Sequence, residues 1–179
     1  ISANQVTVFG FVLGILAVPA IIAEHFDLAL ILILLNRFSD GLDGAVARQT
    51  HTTDAGGFLD ISLDFIFYSA IVFAFIVSHP EQNAVAGSLL MLSFTATGSC
   101  FLAFAIMASK HNIDNPQYPN KSLYYMGGLA EGFETILVLC LFCIFPEHFV
   151  AIALVYTAAC FITAGVRIVT GYQTLNRQG

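Results

Sequence analysis

The chain has 179 residues, a length that suits one domain; 58 % are hydrophobic against 10 % charged, with a mean hydropathy of +0.82. Soluble globular domains carry roughly a quarter charged residues, so the composition excludes that class and points to a membrane. Only six Lys and Arg stand against twelve Asp and Glu, and they are scattered, which argues against a nucleic-acid partner.

In chain order, six apolar segments occur at 5–23, 28–48, 56–78, 83–109, 122–145 and 147–173. Each is long enough for a bilayer crossing of about 20 residues. A soluble helical protein would instead need charged outer helix faces, and these are absent. We therefore expect an all-α integral membrane protein, a bundle of six transmembrane helices forming a single domain over residues 1–179. Because the sequence starts at Ile1 rather than Met, we also expect an N-terminal piece ahead of it.

Polar punctuation at 23–27, 49–55, 78–83, 110–121 and 145–148 separates the segments. With an even number of spans, both termini share a side with the second and fourth connections. Arg48, Lys110, Lys121 and Arg177 lie on or beside that side. The opposite loops carry Glu24, Asp27, Glu81 and Glu147 but no Lys or Arg. Positive charge marks the cytoplasmic side, so both termini are expected there, in a bacterial or archaeal cell membrane. The four cysteines lie in apolar segments and read as small hydrophobes. The five histidines fall in predicted connections and read as solvated.

One stretch breaks the apolar pattern. From Asp40 to Asp64 the sequence places Asp40, Asp43, Asp60 and Asp64 among apolar residues. Ionised groups at membrane depth are costly unless paired or metal-bound, so they mark function by default. Asp40 and Asp43 are i, i+3, and Asp60 and Asp64 are i, i+4, so each pair shares a helix face. The segment 49–55 can join two antiparallel helices and bring those faces together. At about 1.5 Å per residue, Asp43 and Asp40 lie about 7 and 12 Å inside one helix end, and Asp60 and Asp64 about 6 and 12 Å inside the other. Four such carboxylates suit Mg²⁺ or Mn²⁺, which take oxygen ligands, as one ion or as two about 4 Å apart. If three aspartates suffice as ligands, the fourth could act as general base toward a hydroxyl. Arg48 beside them suits a phosphate. An ion-pair network that merely locks two helices is the plainer reading, but four acids around Arg48 would leave it unbalanced. A divalent-cation transporter is the competing function. It is disfavoured because both pairs lie near one surface, whereas transport sites sit near the midplane.

The pattern Asp40-x-x-Asp43-Gly44-x-x-Ala47-Arg48, followed by Gly56-x-x-x-Asp60-x-x-x-Asp64, resembles the signature of the CDP-alcohol phosphotransferase family. The interval between Arg48 and Gly56 is shorter than in the family pattern, so either Thr52 or Thr53 falls where a hydroxyl helps bind the nucleotide. The segment Ser2 to Thr7 resembles the family's first-helix entry, which brings in Asn4, with Ala3 in place of a proline. The resemblance implies a six-helix membrane enzyme of phospholipid synthesis, typically a homodimer. Asp40, Asp43 and Asp60 would ligate one metal ion, and Asp40, Asp60 and Asp64 a second. Gly44, Ala47 and Arg48, with Asn4, Gly56 and Thr52 or Thr53, would hold the CDP moiety. Asp64 would be the base that deprotonates a polar alcohol. The alcohol then attacks the β-phosphorus of a CDP-activated lipid such as CDP-diacylglycerol and releases CMP. A member using a soluble CDP-alcohol and a lipid acceptor is the alternative within the family.

The acceptor has to be read elsewhere. Glu131 and Glu134 are i, i+3 on the fifth span, about 13 and 18 Å deep if it starts near Ser122, and Arg37 is about 17 Å deep on the second. An Arg37–Glu134 ion pair is one expectation; the other is that Arg37, Glu131 or Glu134 lines an acceptor pocket. Lys121 and Arg167 lie toward the cytoplasmic end and complete the candidate acceptor set.

Overall fold

The computed structural model describes residues 3–49, 53–111 and 129–177, the side chains of 42–49 excepted. Every regular element among them is helical. The first predicted span is two helices, α1 (Ala3–Ile15) and α2 (Ala17–Ile22), broken at Leu16. Pro19 accounts for the break, since it has no N–H to offer the carbonyl of Ile15 four residues earlier. A turn with Glu24 in the left-handed region (φ 60°) leads into α3 (Phe26–Gln49). Thr53 caps α4 (Asp54–Ser78), its Oγ1 accepting the Gly56 N–H at 3.1 Å. Pro80 opens α5 (Pro80–Lys110), a first-turn position where a missing N–H costs nothing. α6 (Gly132–Ile144) follows, then a 3-10 turn at Pro146–His148 and α7 (Phe149–Asn176).

With α1 and α2 taken together, six helical rods among the described residues follow the six predicted segments in order. Four of them, Ala3–Ile22, Asp54–Ser78, Pro80–Lys110 and Pro146–Asn176, are long and apolar enough to cross a membrane by length and composition. α3 is as long, but it carries Asp27, Arg37, Asp40, Asp43 and Arg48. α6 is a shorter apolar helix of 13 residues. The fifth segment is therefore not one continuous helix from Ser122: residues 129–131 are non-helical, and α6 starts at Gly132.

α4 runs through the middle of the bundle and packs on α1, α2, α5 and α6. Its Phe67, Ile71, Val72, Ala74 and Phe75 are buried. The Phe75 ring stacks on Phe26 and Phe149 at centroid distances of 5.7 and 5.1 Å and meets Phe142 at 5.5 Å, so one aromatic cluster joins α3, α4, α6 and α7. Large side chains such as Phe58, Val85, Val155 and Tyr172 point outward. An apolar exterior over an apolar core is what lipid, rather than water, tolerates. On α1, Gly10 and Gly14 face α3: a Cβ at Gly10 would lie 2.6 Å from Ser39 Cβ, and one at Gly14 2.9 Å from Asn36 Cγ. Small residues four apart let two helices approach closely, and this approach seats the second half of α3 beside the site.

Candidate functional site

α1 packs against both α3 and α4, and the acidic faces of α3 and α4 meet above it. One carboxylate oxygen each from Asp40, Asp60 and Asp64 lies within 4.8 Å of the others. All three residues are half-buried. With Arg37, Asn36 and Thr7 they line a small cavity of about 10 Å³, the space of roughly one water. An all-oxygen donor set around such a void fits a small hard divalent cation. The predicted pairing of the two acidic faces thus holds for these three aspartates. Asp43, Gly44, Ala47 and Arg48 belong to the stretch of α3 whose side chains lie outside the described residues, as do Thr52 and Lys121 entirely.

Among the described residues, the cation at the cluster is Arg37. Its Nη2 lies 2.7 Å from Asp64 Oδ1 and its Nη1 3.5 Å from Asp40 Oδ2. The Tyr68 hydroxyl donates to the other Asp64 oxygen, Oδ2, at 2.8 Å. Both oxygens of Asp64 are therefore engaged, one by a guanidinium and one by a phenol. The expected Arg37–Glu134 pair is not formed. That pair requires a fifth span that begins near Ser122; with α6 starting at Gly132, Glu131 is the residue before the helix. Glu131 and Glu134 instead make a capping box: the Glu131 side chain accepts the Glu134 N–H, and Glu134 Oε2 accepts the Glu131 N–H at 3.1 Å. Two otherwise orphaned helix-start donors are satisfied this way.

A second, larger cavity of about 170 Å³ opens on the other side of Asp64. Its polar lining includes Asp64, Tyr68, Thr97, Glu131, Tyr156 and Arg167. Arg167, on α7, is 8 % exposed. Its Nη1 donates to the Thr97 carbonyl at 3.3 Å, and its guanidinium lies 5.6 Å from the centroid of the Phe101 ring, a cation–π distance. Thr163 Oγ1 accepts the Ala130 N–H at 3.0 Å, which ties the lead-in to α6 against α7. Of the candidate acceptor residues, then, Glu131 and Arg167 share the larger cavity and Arg37 lines the smaller one. At the start of α4 the predicted nucleotide residues also converge: a Cβ at Gly56 would lie 3.1 Å from Asn4 Oδ1 and 3.2 Å from Thr53 Oγ1.

Reading the sequence missed Asn36 and Tyr68. The signal for Tyr68 was available, because it stands one helical turn after Asp64 on the same face. Asn36 gave none, since its role depends on a contact with α1.

Fold and site together define a helical membrane protein in which two helices pool carboxylates between two cavities. A profile of the CDP-alcohol phosphatidyltransferase family matches residues 1–164. The chain is 53 % identical over 175 residues to the inner membrane protein YnjF of Escherichia coli, covering 98 % of this chain and 85 % of the other. Over 74 residues, 41 % of this chain and 39 % of the relative, it is 38 % identical to the archaetidylinositol phosphate synthase of Pyrococcus horikoshii. In fold it is similar to the crystal structure of Mycobacterium tuberculosis phosphatidylinositol phosphate synthase with CDP-DAG bound, with a TM-score of 0.68 at 17 % identity over 96 % of this chain and 87 % of that one. The chain belongs to the CDP-alcohol phosphatidyltransferase family.

Proposed function

We propose that this protein transfers a phosphatidyl group from a CDP-linked lipid, such as CDP-diacylglycerol, to a polar alcohol, releasing CMP. The observation that carries this reading is the position of Asp64, which lies on the wall of both cavities. The smaller side has the carboxylates for a pyrophosphate-bound cation; the larger has Glu131 and Arg167 for a polar acceptor. Asp64 takes the proton of the acceptor hydroxyl. The acceptor oxygen forms a bond to the β-phosphorus, the bond from that phosphorus to the bridging oxygen breaks, and CMP leaves with the α-phosphate. Arg37 and Tyr68 hold the Asp64 carboxylate in register for this transfer. Asp40, Asp43, Asp60 and Asp64 would hold one or two Mg²⁺ or Mn²⁺ ions, which when bound neutralise pyrophosphate charge. Asn4, Thr53 and Gly56, with Gly44, Ala47, Arg48 and Thr52, form the CDP side of the site. The active enzyme is a homodimer with its site toward the cytoplasm.

The test is an assay of the purified protein with CDP-diacylglycerol, Mn²⁺ or Mg²⁺ and a panel of alcohols, reading CMP. Alcohol-dependent CMP release is expected. If no alcohol gives CMP while reconstituted protein carries Mn²⁺ into liposomes, the chain is a transporter and the transferase reading fails.

A further inference from the structure

Arg37 reaches from α3 to Asp64 on α4, and each of its three nitrogens has an acceptor there. Nη2 donates to Asp64 Oδ1 at 2.7 Å, and Nη1 faces Asp40 Oδ2 and the Tyr68 hydroxyl at 3.5 Å each. Nε and Nη2 both donate to Asn36 Oδ1, at 2.9 and 2.6 Å. The Asn36 contact is unusual, because residues adjacent in sequence do not face each other on a helix surface. It forms because Asn36 is turned toward α1. Its Nδ2 donates to the Gly10 carbonyl at 2.9 Å, and the residue is 4 % exposed. These two partners leave the amide one orientation, since a guanidinium has only donors to offer and a carbonyl only an acceptor.

The rest of the Arg37 seat also depends on α1. A Cβ at Gly14 would lie 2.8 Å from Phe67 Cε2 and 2.9 Å from Asn36 Cγ, and the guanidinium lies 5.4 Å from the Phe67 ring centroid. Both supports of Arg37 therefore pack on the same glycine. Without them, a long flexible side chain is free to settle on Asp40, one turn away on its own helix, and to leave Asp64. A buried amide that merely joined α1 to α3 would need no contact with the guanidinium. We propose that Asn36 is a positioning residue for the transfer: anchored on the Gly10 carbonyl, it fixes Arg37 on Asp64 and so makes α1 part of what orients the base. The inference rests on the reading of Asp64 as that base.

A double-substitution cycle on kcat tests this. The full chain in detergent is assayed with CDP-diacylglycerol, Mn²⁺ and the best acceptor among glycerol phosphate, inositol, inositol phosphate, serine, choline and ethanolamine. Asn36→Leu, close to asparagine in size, is expected to lower kcat about ten-fold, as loss of a hydrogen bond to a charged group does. KM for CDP-diacylglycerol should stay within about two-fold of wild type. Arg37→Met is expected to lower kcat at least as far. Because Asn36 acts through Arg37, the double variant should match Arg37→Met alone, the non-additivity of residues in one network. A residue that only packs α1 on α3 would multiply the two losses instead. Should Asn36→Leu not fold, Asn36→Ser takes its place: it removes the same contact with a side chain small enough to fit beside Gly10. Multiplied losses overturn the proposal. So does a position-36 variant whose kcat stays within about two-fold of wild type, with or without a raised KM. Wild type that releases CMP with an acceptor while the losses multiply keeps the transferase and removes the positioning role. Wild type that releases none with any acceptor removes both.

Discussion

Two arginines on apolar helices have opposite surroundings in this molecule. Arg37 lies against two carboxylates and the Asn36 amide oxygen. Arg167 lies against an aromatic ring and a backbone carbonyl, on the wall of a cavity that also holds Glu131. The first charge is absorbed locally by carboxylates that it also holds in place. The second lies beside a space large enough for a small polar molecule, with Glu131 on the same wall. On the proposed reading the same residue type does two jobs in one site: Arg37 holds the Asp64 carboxylate, and Arg167 faces the acceptor.

Substitutions test that division. The largest effect is expected where the two sides join. Asp64→Asn should cut CMP release by about 10²–10⁴-fold, the usual worth of a general base, while binding of the CDP-lipid persists. Next comes Arg167→Met. Loss of a charged hydrogen-bond donor costs about 1.5–3 kcal/mol, or roughly 10–150-fold in kcat/KM for the alcohol, with bound Mn²⁺ unchanged. A lowered Mn²⁺ count in that variant would erase the distinction between the two arginines. Tyr68→Phe removes one hydrogen bond to Asp64, worth about 1 kcal/mol, so turnover should fall roughly five-fold. The smallest effect is expected on stability, at the wall of the larger cavity. Thr135→Val breaks the 2.7 Å contact between Thr135 and Tyr156 and should cost about 1 kcal/mol of stability, or about 2–4 °C in Tm.

Most of the helix order could be read from the chain, because apolar length and polar punctuation are local signals. The acidic pairs could be read too: i, i+3 and i, i+4 spacing is a property of one helix, and the short connection at 49–55 leaves their faces little choice but to meet. Pairings across helices were not accessible in the same way. Arg37 and Asp40 share an α3 face at i, i+3, a signal as local as that of Asp40 and Asp43. Depth along the helices nevertheless pairs Arg37 with Glu134 when the fifth span is taken to start near Ser122. The true start is marked by Glu131 and Glu134 themselves, whose three-residue spacing is that of a capping box. Asn36 looked like an ordinary polar residue in an apolar run. Its importance arises only because Gly10 and Gly14 bring α1 close enough to hold it.

In the proposed reaction an alcohol attacks the β-phosphorus of a CDP-lipid at Asp64. Labelling that phosphorus in CDP-diacylglycerol and following it with Mn²⁺ and a reactive alcohol shows whether it does. The label should appear in a new lipid phosphodiester alongside an equal amount of unlabelled CMP, and both should vanish in Asp64→Asn. Label recovered in the nucleotide, or CMP formed equally well without the alcohol, would contradict it.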